Sequence, residues 1–294
     1  MKRAIGWLSV AALSLPLMAH TGEPLEPHDL WTAWDWEPGI VIPLALSAIL
    51  YARGARARHG IRTWEAASFA AGWIVLFLAL VSPIHPLGEA LFSAHMTQHE
   101  LLMAVAAPLL VLGRPMIPFL WGMPMSWRRG IGAFSKTRPV QIVWRWLTDP
   151  FVAWSLQAAA LWLWHYPPLF QATLTSDAVH TAQHLSFLIA ALLFWWAVLR
   201  GREGAMGRGM AVLYLFTTAM HTSVLGALIT CSPTLWYPAY ARTAPAWGLT
   251  PLEDQQLGGL IMWVPAGLSY VIAGLAIMAA WIRESEPRGI GERA

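Results

Sequence analysis

Long apolar runs, separated by short polar connections, fill the chain from residue 38 almost to its C-terminus. A membrane-spanning helix needs about 20 predominantly apolar residues. Seven runs are candidates, and in chain order they cover residues 38–52, 64–81, 95–113, 151–165, 180–199, 210–230 and 257–281. The first and fourth are the shortest, at about 22 Å of helix each. The pattern predicts an all-α, polytopic integral membrane protein with seven transmembrane helices after an N-terminal signal peptide.

Composition supports a membrane protein. The chain is 57 % hydrophobic and only 12 % charged, whereas soluble domains carry about 25 % charged residues. Its 19 tryptophans suit the aromatic belts at membrane interfaces. The basic residues lie in short connections between the apolar runs, which argues against nucleic acid as a partner. Cys231 is the single cysteine, so an intrachain disulfide and a cysteine-rich metal site are both excluded.

The first residues resemble a secretory signal, with two basic residues, an apolar stretch and Ala19 as the cleavage residue. An uncleaved signal anchor is the alternative. Cleavage after Ala19 would make His20 the mature N-terminus, whose amine and imidazole together can chelate copper. We expect a signal peptide (1–19), an extracytoplasmic lead-in (20–37), a seven-helix membrane domain (38–283) and a cytoplasmic tail (284–294).

Basic residues predict the orientation of the chain. The connections after the first, third and fifth runs, with the tail, carry 16 Lys and Arg residues, whereas the opposite side carries only Arg242 after the signal. Such residues accumulate on the cytoplasmic side. We therefore expect an extracytoplasmic N-terminus and a cytoplasmic C-terminus, with residues 53–63 and 114–149 inside and 231–255 outside. Part of 114–149 is expected to form an amphipathic helix on the inner leaflet, the alternative being an ordinary basic loop.

Two five-residue stretches carry the main chemical signal. His95–His99 and His180–His184 both read H-x-x-Q-H, and each begins an apolar run. Residues four apart lie on one face of a helix, so each stretch can present two imidazoles to one ion. Imidazole suits copper, zinc, iron and nickel. The duplicated spacing favours a metal site shared by two neighbouring helices over structural hydrogen bonding.

Further histidines extend this set. His85 and His165 each precede one H-x-x-Q-H motif, in the similar contexts PIHPL and HYPPL, so two helical hairpins repeat the arrangement. His221 falls roughly in the middle of the sixth run and is either a deeper ligand or a buried hydrogen-bonding residue. The predicted metal-ligating residues are therefore His95, His99, His180, His184, His165, His85 and His221.

The identity of the metal stays open at this level. Met96 and Met103 favour copper, since thioether sulfur prefers Cu(I). Zinc bound by three histidines and a water would instead make a membrane hydrolase, with Glu100, Asp177 or Asp254 as general acid or base. Single axial histidines on facing helices would make a haem-binding electron carrier.

Four segments together resemble a known family: HMTQHELLMAVAAPLLVLGRP, WLWHYPPLF, HTAQHLSFL and DQQLGGLIMWVPAG. They are similar to the signatures of the CtaG family of caa3-type cytochrome c oxidase assembly factors, and the resemblance covers roughly residues 36–283. It implies a non-enzymatic role in the maturation of a haem-copper oxidase in the bacterial cytoplasmic membrane. It also implies copper delivery or insertion as the metal step, with oxidase subunits and a copper chaperone as partners.

Overall fold

A computed structural model describes residues 25–57, 60–200 and 206–285, and within these ranges the regular structure is entirely helical. The α-helices are α1 (Pro38–Ala57), α2 (Thr63–Val81), α3 (Ile84–Ala90), α4 (Phe92–Glu100), α5 (Ala107–Leu112), α6 (Met116–Gly122), α7 (Met125–Phe134), α8 (Arg138–Leu147), α9 (Pro150–Trp164), α10 (Pro167–Thr173), α11 (Asp177–Arg200), α12 (Arg208–Thr230) and α13 (Pro251–Ser285). A π-helical segment, Leu101–Ala106, joins α4 to α5. Two 3₁₀ turns, Pro238–Ala241 and Ala244–Trp247, lie between α12 and α13.

The all-α membrane architecture is confirmed. In the described ranges five helices are long and apolar enough to cross a membrane, namely α1, α2, α11, α12 and α13. The stretch Phe92–Leu112 adds a sixth if it is counted together with α6, to which it is bent by 64°. The predicted fourth span is α9, whose 15 residues give about 22 Å of helix. Seven spans therefore stay a prediction, and the predicted signal peptide, with His20, lies outside the described residues.

The third apolar run is interrupted by its π-helical turn for an identifiable reason. The Ala107 N–H donates to the Leu102 carbonyl, five residues back. The next donor in that pattern would be residue 108, but Pro108 has no N–H. The Met103 carbonyl instead accepts a hydrogen bond from Trp195 Nε1 of α11, at 2.9 Å. A tertiary contact thus satisfies the backbone group that the proline leaves without a partner.

The cytoplasmic connection predicted at 114–149 contains three short helices. The first, α6, packs on α1 at a close crossing where Gly54 meets the Pro118 carbonyl and Gly122 meets the Leu50 carbonyl. Small residues at such crossings let two backbones approach closely. The other two, α7 and α8, bury none of their residues. The expected helical structure is present in this connection, and its position on the inner leaflet stays a prediction.

Helices α9, α11, α12 and α13 enclose the main hydrophobic core with the π-helical segment. At the predicted outer end, the connection between α12 and α13 folds back over the helix ends. Its Tyr237 and Tyr240 are buried against Phe92 and Phe170. This aromatic layer covers the region where α4 begins.

Candidate metal centre

Six of the seven predicted histidines gather beneath this layer. They come from four places in the chain: α3 (His85), α4 (His95, His99), the C-terminal end of α9 (His165) and α11 (His180, His184). Two triads among them have ligand nitrogens within 4.8 Å of one another, which suits a common ion: His85, His180 and His184, and His95, His99 and His184. Since His184 belongs to both, we call the five residues of these triads the histidine cluster.

The two H-x-x-Q-H motifs meet face to face. Within each motif the imidazoles are one helical turn apart, with ring centroids 4.4 Å apart for His95–His99 and 4.3 Å for His180–His184. Between the motifs, the His95 and His180 rings lie 5.3 Å apart. The exposed positions of the second motif, Thr181 and Ala182, point away from this contact. The spacing thus places the two imidazole pairs on the faces by which α4 and α11 pack.

Asp254 of α13 holds the start of α4 in place. Its carboxylate accepts hydrogen bonds from the backbone N–H groups of Phe92 (2.7 Å) and Ser93 (3.0 Å) and from the Ser93 hydroxyl (2.5 Å). A carboxylate at a helix N-terminus satisfies otherwise unpaired N–H groups and the helix dipole. Sequence analysis considered Asp254 as a candidate general acid or base. The structure assigns Asp254 the capping of α4, the helix that presents His95 and His99.

The glutamine of each motif contacts a histidine of another element. Gln98 Nε2 donates to the Ala79 carbonyl (2.7 Å) and to His85 Nδ1 (2.8 Å). The side-chain oxygen of Gln183, Oε1, lies 3.1 Å from His95 Nε2. Gln98 thus occupies the lone pair of His85 Nδ1, and the two contacts restrict the orientation of the His85 and His95 rings. Sequence analysis missed this role, although the shared glutamine in both motifs was the available signal.

Both ring nitrogens of His95 face carbonyl oxygens. His95 Nδ1 lies 3.3 Å from the Gly88 carbonyl, which also accepts from the Tyr240 hydroxyl (3.0 Å), and His95 Nε2 lies 3.1 Å from Gln183 Oε1. A neutral imidazole has a single N–H, so one of these contacts is a hydrogen bond and the other sets a nitrogen lone pair against an oxygen. Burial, and then the nearby Asp254 charge, raise the pKa of Tyr240 well above its ordinary value. Tyr240 therefore stays a hydrogen-bond donor to the Gly88 carbonyl beside His95.

Within the histidine cluster, His99 and His184 carry buried nitrogens that form no hydrogen bond in the described ranges, and the same is true of both nitrogens of His221 outside it. In the described part of the chain, neither ring nitrogen of His99 has a hydrogen-bond partner, and the same holds for His184 Nε2. A buried polar atom without a partner costs about 1–3 kcal/mol. An ion bound by these nitrogens removes that cost. This is the observation that best fits a metal to the residues present.

Burial differs between the two triads. His95 and His99 are at most 1 % exposed, whereas His85, His180 and His184 are 7–8 % exposed. His85 Nε2 lies 3.4 Å from the Asp35 carboxylate, a residue of the segment that precedes α1. The triad of His85, His180 and His184 is therefore the side nearer to solvent, with a negative charge beside it.

The remaining two candidate histidines belong to neither triad. His165 is buried beside Met96 and contacts His99. His221 of α12 packs against the Trp154 ring and belongs to neither triad.

Among the acids considered for a zinc hydrolase, Asp177 is exposed and Asp254 caps α4. Glu100, the residue after His99, is half-buried and belongs to neither candidate metal group. In the described ranges, both candidate metal groups consist of histidines alone.

Comparison with known proteins adds to this geometry. The family model described as cytochrome c oxidase caa3 assembly factor (Caa3_CtaG) matches residues 49–284. The chain belongs to this family. The match covers both H-x-x-Q-H motifs, α9 and α13, so the resemblance found in the sequence is confirmed.

Relatives among curated proteins are mycobacterial. The chain is 28 % identical over 268 residues to the uncharacterized protein Mb0105 of Mycobacterium bovis, with 86 % of this chain and 40 % of the relative covered. It is 26 % identical over 282 residues to the uncharacterized protein ML1998 of Mycobacterium leprae, with 89 % and 41 % covered. This Caa3_CtaG chain thus spans about two fifths of the length of the curated relatives it matches. No solved structure matches it.

Proposed function

We propose that this protein is a cytochrome c oxidase assembly factor that binds copper as cargo in the histidine cluster and passes it on during maturation of the oxidase. Family membership supports the assembly role. The observation that carries the copper step is the meeting of two H-x-x-Q-H motifs in one buried cluster of imidazoles with unpartnered nitrogens. Imidazole is a good copper ligand.

The two triads suit sequential handling of the cargo. The less buried triad, beside Asp35, receives the cation. The more buried triad, which contains His95 and His99, retains it. His184 belongs to both triads, so an ion can pass from one to the other without leaving imidazole ligands. The basic asymmetry of the connections supports placing this cluster at the outer face of the membrane.

Zinc is the alternative cargo, since imidazole binds it as well. A hydrolase would need a general base beside an open metal position. Asp35 is the carboxylate nearest to the cluster among those described. It contacts His85 and belongs to neither candidate metal group. The Met96 sulfur beside His165 favours copper over zinc as the cargo, since thioether sulfur prefers Cu(I).

Metal analysis of the purified full chain tests the proposal. After mild purification and exposure to equimolar Cu(I) and Zn²⁺, the wild type should retain copper. The His99→Ala, His184→Ala double variant should retain neither metal. The matched control is His28→Ala, which removes an exposed histidine outside the cluster and should leave copper retention unchanged. Oxidase maturation in cells that carry only the double variant should fail, and full maturation there would contradict the proposed role.

A further inference from the structure

One contact next to the histidine cluster is chemically unusual. His165 Nε2 lies 3.3 Å from the sulfur of Met96. Both residues are buried: His165 is 2 % exposed and Met96 is fully buried. The contact joins the end of α9 to α4, one turn from His99. It belongs to neither histidine triad.

The protonation state of His165 shows why this contact needs a ligand. His165 Nδ1 lies 2.7 Å from the Leu161 carbonyl, which can only accept, so Nδ1 carries the proton. In the neutral ring, Nε2 then directs a lone pair at the thioether, which has no hydrogen to donate. A doubly protonated ring would solve this only by burying a positive charge among other imidazoles, which is costly. Two facing lone pairs are stabilised by a cation between them.

We propose that Met96 Sδ and His165 Nε2 bind Cu(I), with His99 as the third ligand, in a soft-ligand subsite at the edge of the histidine cluster. The inference rests on the proposed function, because it assumes that copper is the cargo. Thioether sulfur selects Cu(I) over harder ions. His99 follows Met96 by three positions and so shares its helix face. Its ring lies 5.9 Å from that of His165, and both of its nitrogens are unpartnered in the described part of the chain.

The position of the subsite suggests its use. His165 forms part of the wall of a cavity of about 390 Å³, together with Trp162, Tyr166 and Trp236. The Tyr237 hydroxyl donates to the His165 carbonyl at 2.8 Å and so holds the ligand at this wall. His85, by contrast, lies beside Asp35. Because the soft subsite shares His165 with the wall of this cavity, we expect Cu(I) to leave the cluster on the cavity side.

X-ray absorption spectroscopy of the Cu(I)-loaded full chain tests the subsite directly. The wild type should show one sulfur scatterer beside nitrogen, and Met96→Leu should show nitrogen only. Met103→Leu is the matched control, because Met103 is an equally buried methionine in the same apolar run whose sulfur faces Gln157. This control should retain the sulfur signal. The Cu(I) affinity of Met96→Leu, measured against a chromophoric chelator, should fall about tenfold or more, with Zn²⁺ affinity unchanged.

A second measurement needs no variant. Wild-type protein grown with selenomethionine should show a copper–selenium distance, so the proposal stays testable if Met96→Leu fails to fold. Nitrogen-only scattering in the wild type, or an unchanged sulfur signal in Met96→Leu, would overturn the subsite while leaving copper binding by the imidazoles intact. Absence of copper from the wild type would instead overturn the proposed function and the subsite with it.

Discussion

His99 of α4 and His184 of α11 lie with their ring centroids 5.3 Å apart and their planes at 85°. Each is the last residue of its H-x-x-Q-H motif, and each carries a buried nitrogen without a hydrogen-bond partner in the described ranges. The pair connects the two motifs into one cluster. An ion held by both rings would couple α4 to α11.

The effect of removing one of these rings on copper retention should therefore depend on whether the other ring is present. His99→Ala and His184→Ala should each abolish most copper retention, and the double variant should be little worse than either single one, because ligands of one ion act as a unit. Copper content after dialysis and competition titrations against a chelator measure this. Additive losses of stability with unchanged copper content would show independent structural roles for the two histidines.

The glutamine of the first motif should tune affinity without being a ligand. Gln98→Leu removes the donor to His85 Nδ1, and loss of such an orienting partner typically costs about 10–100-fold in metal affinity. Thr97→Val is the control, because the Thr97 hydroxyl donates only to the Ser93 carbonyl of its own helix. Equal copper affinities for the two variants would remove Gln98 from the site.

Loss of the Asp254 cap on α4 should lower both the thermal stability of the protein and its copper affinity. Asp254→Ala leaves the N–H groups of Phe92 and Ser93 without their acceptor. Loss of an N-terminal cap costs about 0.5–2 kcal/mol, so thermal unfolding in detergent should shift downward and copper affinity should fall with it. Glu253→Gln removes the neighbouring, exposed charge and should leave copper affinity unchanged. A similar loss of affinity in both variants would point to general charge effects instead.

The close crossing of α1 and α6 makes a packing prediction. A Cβ added at Gly54 would lie 1.8 Å from the Pro118 carbonyl oxygen, so Gly54→Ala must displace α6. Overpacking of this kind costs about 1–3 kcal/mol. Gly130→Ala in α7, where nothing lies within 4 Å of the added carbon, is the matched control and should unfold no earlier than the wild type. Unchanged stability of Gly54→Ala would show that α6 does not dock at this position.

The single cysteine offers a test of orientation. Cys231 is exposed at the end of α12, in the connection predicted to lie outside. A membrane-impermeant maleimide should label it in intact spheroplasts. In a Cys231→Ala background, Lys136→Cys should be labelled only after lysis. The opposite pattern would reverse the orientation and separate the histidine cluster from the outer face.

Much of this architecture was accessible from local sequence patterns. Apolar run length predicted the helices, since a spanning helix must satisfy its own backbone in lipid. The i, i+4 spacing placed His95 with His99 and His180 with His184 on single helix faces. The four signature segments indicated the family, which the match over residues 49–284 confirms. Each of these inferences depends on residues close together in the chain.

Other features of the site depended on how the helices pack. His221 resembled the other membrane histidines in sequence, yet it lies against Trp154 and outside both triads. The Asp254 cap on α4 joins residues more than 160 positions apart, and the Met96–His165 contact joins residues 69 apart.

Local patterns were enough to predict the helical membrane class, the family, the pairing of histidines within each motif and a site shared by the two motifs. The packed helices were needed to show that the glutamines contact histidines of other helices and that a methionine faces His165. The physical reason is that helix periodicity follows from backbone geometry over a few residues. The approach of two helices depends instead on the packing of all the side chains between them.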